Sequence, residues 1–176
     1  MRIIFLFSFS FIQLCVNAQD IFDLSRTGSV ESMQAYLLKD PSAVNQLSDQ
    51  GISPFILACY RGNNAVAKLL EKKGAKVMQC TSEGSAIYGI IFKDNLEMLN
   101  YLLDKGYSPN DTCQFTQFGT PLHMAMNLKR YELIESLLAH KASTTIADAQ
   151  GRSLKDLLDY YKDPKLNTLF ETYEKN

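Results

Sequence analysis

The apolar residues between Gly119 and Leu138, GTPLHMAMNLKRYELIESLL, fall in two short helical stripes. Leu122, Met124 and Ala125 share one side of a first helix, the pattern breaks near Lys129, and Leu133, Ile134, Leu137 and Leu138 resume it. Thr120 can cap the first helix through its hydroxyl, and Pro121 suits the first helical position, where no backbone N–H is needed. The stretch therefore predicts two short antiparallel helices. Ser53-Pro54-Phe55-Ile56, Ser85-Ala86-Ile87-Tyr88 and Ser153-Leu154-Lys155-Asp156 repeat the start of this pattern. With Thr120 they are spaced 32, 35 and 33 residues apart, close to the ~33-residue period of a turn plus two helices. Leu69-Leu70, Leu102-Leu103 and Leu137-Leu138 close the second helices in step, and Gly74 and Gly106 supply left-handed helix ends.

Thr120 to Ala125 reads TPLHMA, and here the chain resembles the ankyrin repeat family. The family signature is T-P-L-H-x-A, a glycine between the helices, then L-L-x-x-G-A. Gly62, and Val66 to Leu70 running on to Gly74-Ala75, keep the same spacing. The resemblance implies an all-α solenoid of stacked helix-turn-helix units with short β-hairpin loops. It divides the chain into an amino-terminal cap at 19–48, repeats at 49–80, 81–113 and 114–147, and a carboxy-terminal cap at 148–176. Departures are visible. The family histidine is Ile56, Tyr88 and Asp156 in the other copies, Lys141 replaces a terminal glycine, and the third copy has Ala86 for proline and Ile90, Ile91 and Phe92 for smaller groups. The segment 109–118 accounts for the 35-residue spacing and predicts an enlarged hairpin tip.

Within this frame the first repeat should bury Ile21, Phe22 and Leu24 on one helix and Val30, Met33, Leu37 and Leu38 on the next. Ala58 keeps the second repeat slim, and Cys59 reads as a core residue. Leu154, Leu157 and Leu158, then Leu166, Leu169 and Phe170, should close the far end. An end repeat with nothing to stack on is expected to be atypical.

Residues 1–18, MRIIFLFSFSFIQLCVNA, carry one charge at Arg2, an apolar run and Val16-Asn17-Ala18 before Gln19. This reads as a cleaved secretory signal, too short for an anchor that needs about 20 apolar residues. An exported protein, periplasmic or extracellular, with no stable membrane insertion of the mature chain, is the expectation. Without Arg2, 17 basic residues face 19 acidic ones, so nothing recruits nucleic acid. Lys68, Lys72, Lys73 and Lys105 read as a solvated outer face.

Little in the sequence carries chemistry. There is no C-x-x-C, H-E-x-x-H, G-x-S-x-G or phosphate-binding glycine loop, so no metal site and no cofactor is expected. The family resemblance implies a structural role for His123. His140 lies near a helix C-terminus, where a cation is favoured. Cys80 and Cys113 fall in successive hairpins and in an oxidising compartment could bridge. Stacked helices lie about 8–10 Å apart while a disulfide wants Cα atoms within ~7 Å, so a bridge and two free thiols both stay open. Asn110-Asp111-Thr112 is a glycosylation sequon if the source is eukaryotic.

Solenoids of this kind bind proteins on the concave surface made by hairpin tips and first helices. Register turns Tyr60-Arg61, Phe92-Lys93, Asn127-Leu128 and Tyr160-Tyr161 toward that surface, and the long loop adds Phe115 and Phe118. The expected function is a non-enzymatic module that binds a partner protein in the groove. A narrower reading is a periplasmic immunity or stabilising protein for a secreted enzyme or toxin. The competing class is a hydrolase with a site assembled from Asp111, His123 and Asp148.

Overall fold

The computed structural model describes residues 19–81, 84–111, 113 and 119–174. The expected signal, Phe115, Phe118 and the rest of the predicted enlarged tip at 114–118 lie outside them. Among the described residues ten α-helices form five pairs: α1 (Ile21–Thr27) and α2 (Val30–Lys39), α3 (Pro54–Arg61) and α4 (Asn64–Lys72), α5 (Ala86–Phe92) and α6 (Leu96–Asp104), α7 (Pro121–Asn127) and α8 (Tyr131–Ala139), α9 (Leu154–Tyr161) and α10 (Pro164–Glu174). Two- or three-residue turns join each pair, and a 3₁₀ turn at Pro41–Asn45 follows α2.

Each first helix starts where a short polar side chain caps it. Asp20, Ser53, Thr120 and Ser153 accept the backbone N–H of the residue three positions on, and Ser85 accepts that of Ile87. Each such cap stabilises by about 1 kcal/mol. The helices end where the backbone turns left-handed. Gly62 (φ 75°), Asp94 (56°), Lys129 (53°) and Lys162 (48°) end the first helices, while Gly74 (91°), Gly106 (88°) and Lys141 (64°) end the second. The repeat geometry is thus kept where glycine has been lost, at a cost of roughly 1–2 kcal/mol for a residue carrying a Cβ.

Burial follows succession in the chain. First helices pack in a row, α1 on α3, α3 on α5 and α5 on α7; α2 packs on α4, α6 on α8 and α8 on α10. One continuous core runs through Leu24, Phe55, Ile87, Leu122 and Leu157 on the first row and Met33, Leu70, Leu102 and Leu137 on the second. Cys59 is fully buried, and burial pushes its thiol pKa well up. Leu38, expected inside, is 74% exposed, because it follows Leu37 directly and one position rotates a helical side chain out of the stripe. Phe22, Val30, Leu158 and Leu169 are half-buried.

The loops expected as β-hairpins carry no strands among the described residues, only an isolated bridge between Thr81 and Gly84, and this hairpin side is stitched from repeat to repeat by other bonds. Asn45 accepts the Lys76 N–H at 2.8 Å and donates to the Gly74 carbonyl at 3.0 Å. Asn110 does the same one step from the other end, accepting the Ser143 N–H at 2.6 Å and donating to the Lys141 carbonyl at 3.4 Å. The amide of the sequon asparagine is therefore engaged with the next repeat. Between these two rungs the equivalent position is Met78, which has no amide to offer. There a Cys80–Cys113 disulfide links the hairpins, with Cα atoms 5.4 Å apart. At that point the hairpins lie closer than the helix axes that carry them.

The outer face is more tightly organised than a merely solvated surface. Lys68 pairs with Glu97 across α4 and α6. Glu71 accepts from Lys105 at 2.9 Å, Tyr101 at 3.0 Å and Tyr107 at 3.3 Å. Burial pushes the Glu71 carboxyl up, but the hydrogen bonds from Lys105 and the two tyrosines outweigh it and hold it below the usual range.

Candidate functional site

The last turn of α3, α5, α7 and α9 places Tyr60, Phe92, Asn127 and Tyr160 in one register column, all exposed. Tyr60 and Phe92 come together: their rings stack with centroids 5.6 Å apart and planes 8° from parallel. Room for this comes from Gly89, where a Cβ would stand 3.1 Å from the Tyr60 ring. The Lys93 ammonium lies 5.7 Å from the Tyr60 centroid and 6.0 Å from that of Phe92. The pair stays 41% and 47% exposed, an apolar plate edged by a cation. Arg61 is exposed beside it.

At the far end Tyr160 meets Tyr161 edge to face at 5.4 Å, and the Arg152 guanidinium lies 5.6 Å from the Tyr160 ring centre. Asn127 turns to this end, where it lines a small polar socket with His123, Asp148, Gln150, Arg152 and Tyr161. Leu128 differs from its expected role. It caps the end of α7 and packs half-buried against the core, so it contributes support. The ten residues read from the sequence thus divide: Tyr60, Phe92 and Lys93 form one cluster with Arg61 exposed beside it, Asn127, Tyr160 and Tyr161 form another, Leu128 packs against the core, and Phe115 and Phe118 lie outside the described residues.

Sequence reasoning missed Arg152, Gln150 and Gly89. Arg152 follows Gly151 at the end of a hairpin turn, and the helical register used to find groove residues does not reach hairpins. Gly89 sits inside a helix, where a glycine is otherwise unfavourable and so signals close approach.

The residues of the hydrolase reading are held by structure. His123 Nδ1 accepts the Thr120 N–H at 3.1 Å and closes a capping box at the start of α7. Burial pushes its pKa down, the Asp148 charge pulls it up and the Arg152 charge pushes it down, with a net fall. Asp148 spends Oδ1 on the Gln150 and Arg152 N–H groups at 2.9 and 2.8 Å and Oδ2 on Arg152 Nε at 2.7 Å. Asp111 accepts from the Ser85 hydroxyl and from the Cys113 N–H at 2.9 Å, on a different hairpin. Asp148 is occupied by its own turn and Asp111 by its own turn and the Ser85 cap of α5, which leaves neither placed as a base beside His123. The histidine's place is taken differently elsewhere. Asp156 accepts from the Ser153 N–H at 2.8 Å, whereas Tyr88 sends its hydroxyl 2.7 Å to the Gly119 carbonyl of the next repeat.

No helix among the described residues is long and apolar enough to cross a membrane, and no group of acidic, histidine and cysteine residues there is arranged to hold a metal ion. No curated protein matches the chain. A family model described as ankyrin repeats in three copies matches residues 22–113, and one for a single ankyrin repeat matches 119–149. With more than half of its length matched and its helix pairs stacked in sequence order, the chain belongs to the ankyrin repeat family.

Proposed function

We propose that this ankyrin-repeat protein is exported and holds a partner protein against the face formed by the ends of its first helices. The family is typically one of non-enzymatic protein–protein interaction modules, and the observation that carries the reading is the Tyr60–Phe92 plate. Two stacked aromatic rings are left about half in water on a surface where the fold has cleared space for them. Aromatic residues flanked by a cation are the types that dominate binding energy when a partner covers them. Lys93 supplies the cation at this plate, and Arg152 does so at Tyr160.

Two features support export. Residues 1–18 have the order of a signal, and a disulfide joins adjacent hairpins in a chain whose third mature cysteine is sealed in the core. Disulfides persist in oxidising compartments. Amino-terminal sequencing of protein from the culture fluid or cell envelope should begin at Gln19. The binding face is tested by cross-linked recovery from that compartment with wild type and with Tyr60→Ala/Phe92→Ala. Loss of two central aromatic anchors should lower recovery at least about tenfold, whereas equal recovery removes the assignment.

A further inference from the structure

The socket between the fourth and fifth repeats has hydrogen-bonding capacity that the protein itself leaves unused, and its unused charged group and buried ring nitrogen can only donate. His123 is 4% exposed, and its Nδ1 accepts the Thr120 N–H, so the neutral ring carries its proton on Nε2. Nε2 makes no hydrogen bond to any described residue, although His123 lines the socket. Arg152 commits Nε and Nη2 to Asp148 and Gln150 and leaves Nη1 unspent among the described residues. Asn127 and Tyr161 also line the socket, and their amide and hydroxyl, which can each donate or accept, have no hydrogen bond to any described residue. The acceptors of the turn are engaged. Both Asp148 oxygens and the Gln150 oxygen already receive protons from within the turn.

Two groups that can only donate, the His123 Nε2–H and the Arg152 Nη1, beside an amide and a hydroxyl that can donate as well, match a ligand that accepts. A carboxylate offers two oxygens and about four lone-pair sites, the largest acceptor count among protein side chains. Its hydrogen bonds to a guanidinium are charge-assisted and stronger than neutral ones. We infer that this socket takes a carboxylate, presented by an acidic side chain of the bound partner, with His123, Asn127, Arg152 and Tyr161 as its donors. The inference rests on the protein-binding reading and adds a chemical requirement to it. The Tyr60–Phe92 plate anchors an apolar part of the partner, and an acidic residue further along docks beside Tyr160. Asp148 does not repel the newcomer outright, because the Arg152 charge stands against its carboxylate at 2.7 Å.

The test is an NMR titration of the oxidised protein with N-acetylglutamate amide, its neutral isostere N-acetylglutamine amide, and acetate. Saturable shifts are expected at the His123 ring, the Arg152 Nε–H and the Tyr161 ring with the glutamate probe, and binding of the glutamine probe should be at least about tenfold weaker. Asn127→Ala and Tyr161→Phe remove donors at an exposed and a half-buried position while leaving α7 and α9 packed. Each should weaken the glutamate probe roughly fivefold to tenfold. Acetate binding as tightly as the glutamate probe would support a socket for carboxylates in general, and tighter binding of the glutamate probe would support an acidic side chain. An unchanged His123 ring with every carboxylate, or equal response to the glutamine probe, overturns the inference. Because the titration needs no partner, it can fail while partner recovery still depends on Tyr60 and Phe92, and the reverse.

Discussion

Replacing Cys80 and Cys113 by alanine should loosen the middle of the stack more than removing one of the asparagine rungs beside it. The bond closes a loop with a sequence separation of 33 residues. Loop-closure entropy for that length gives the unfolded chain about 4 kcal/mol of freedom once the link is cut. An asparagine rung such as Asn45 supplies two hydrogen bonds of about 1 kcal/mol each, so Asn45→Ala should cost about 2 kcal/mol. The order is therefore fixed in advance, with the disulfide worth about twice the rung it stands in for. For a chain of this size the loss corresponds to a fall in Tm of roughly 10 °C. Thermal and urea unfolding, followed by far-ultraviolet circular dichroism with and without a thiol reductant, measure it. The cysteine-free variant must behave like reduced wild type and be indifferent to reductant. Thiol titration of unfolded, unreduced wild type should find Cys59 and neither partner of the bond. A double variant as stable as oxidised wild type, or two further reactive thiols in that titration, would refute the reasoning.

Gly119→Ala should destabilise by about 3 kcal/mol, since φ is +80° and the new Cβ would stand 2.9 Å from the Asp148 Cα and the His123 Nδ1. Gly151→Ala, at φ +76° with open space around it, should cost only about 1 kcal/mol of backbone strain, and equal losses in urea melts would show that the close approach does not matter. Stability should also decline as pH falls below the ordinary histidine value of about 6.5. His123 is held below that value by burial, so in this window the unfolded chain takes up a proton that the folded chain refuses. His123→Asn should remove that part of the slope between pH 7 and 5, and a flat wild-type profile there would contradict it.

Most of the stack was legible in the sequence because period and chemistry agreed. Caps at Ser53, Ser85, Thr120 and Ser153 fall where hydroxyls precede apolar runs, and the cores of α3 to α8 follow the stripes that mark them. The misses lie where one signal was read without its context. Leu38 looked apolar and is turned outward, and Leu128 looked like a groove residue and serves as a helix end. Lys129 and Lys162 carry the left-handed backbone of a family glycine with no mark in their residue type, whereas Asp94 is of a type that tolerates it. The socket depends on which hydrogen bonds a hairpin has already made, and spacing alone does not encode that. Tyr88 illustrates the same limit, since its reach to Gly119 becomes visible only once the third and fourth repeats are set side by side.

Sealing Cys59 inside the second repeat also settles which sulfurs can meet. A chain with three cysteines after residue 18 has three possible intramolecular partnerships, yet packing of α3 against α1 and α5 withdraws one thiol from the competition. Wrong pairings can arise only before that helix docks. Variants that delay the docking of α3 should therefore give disulfide isomers containing Cys59 on oxidative refolding, which peptide mapping would detect.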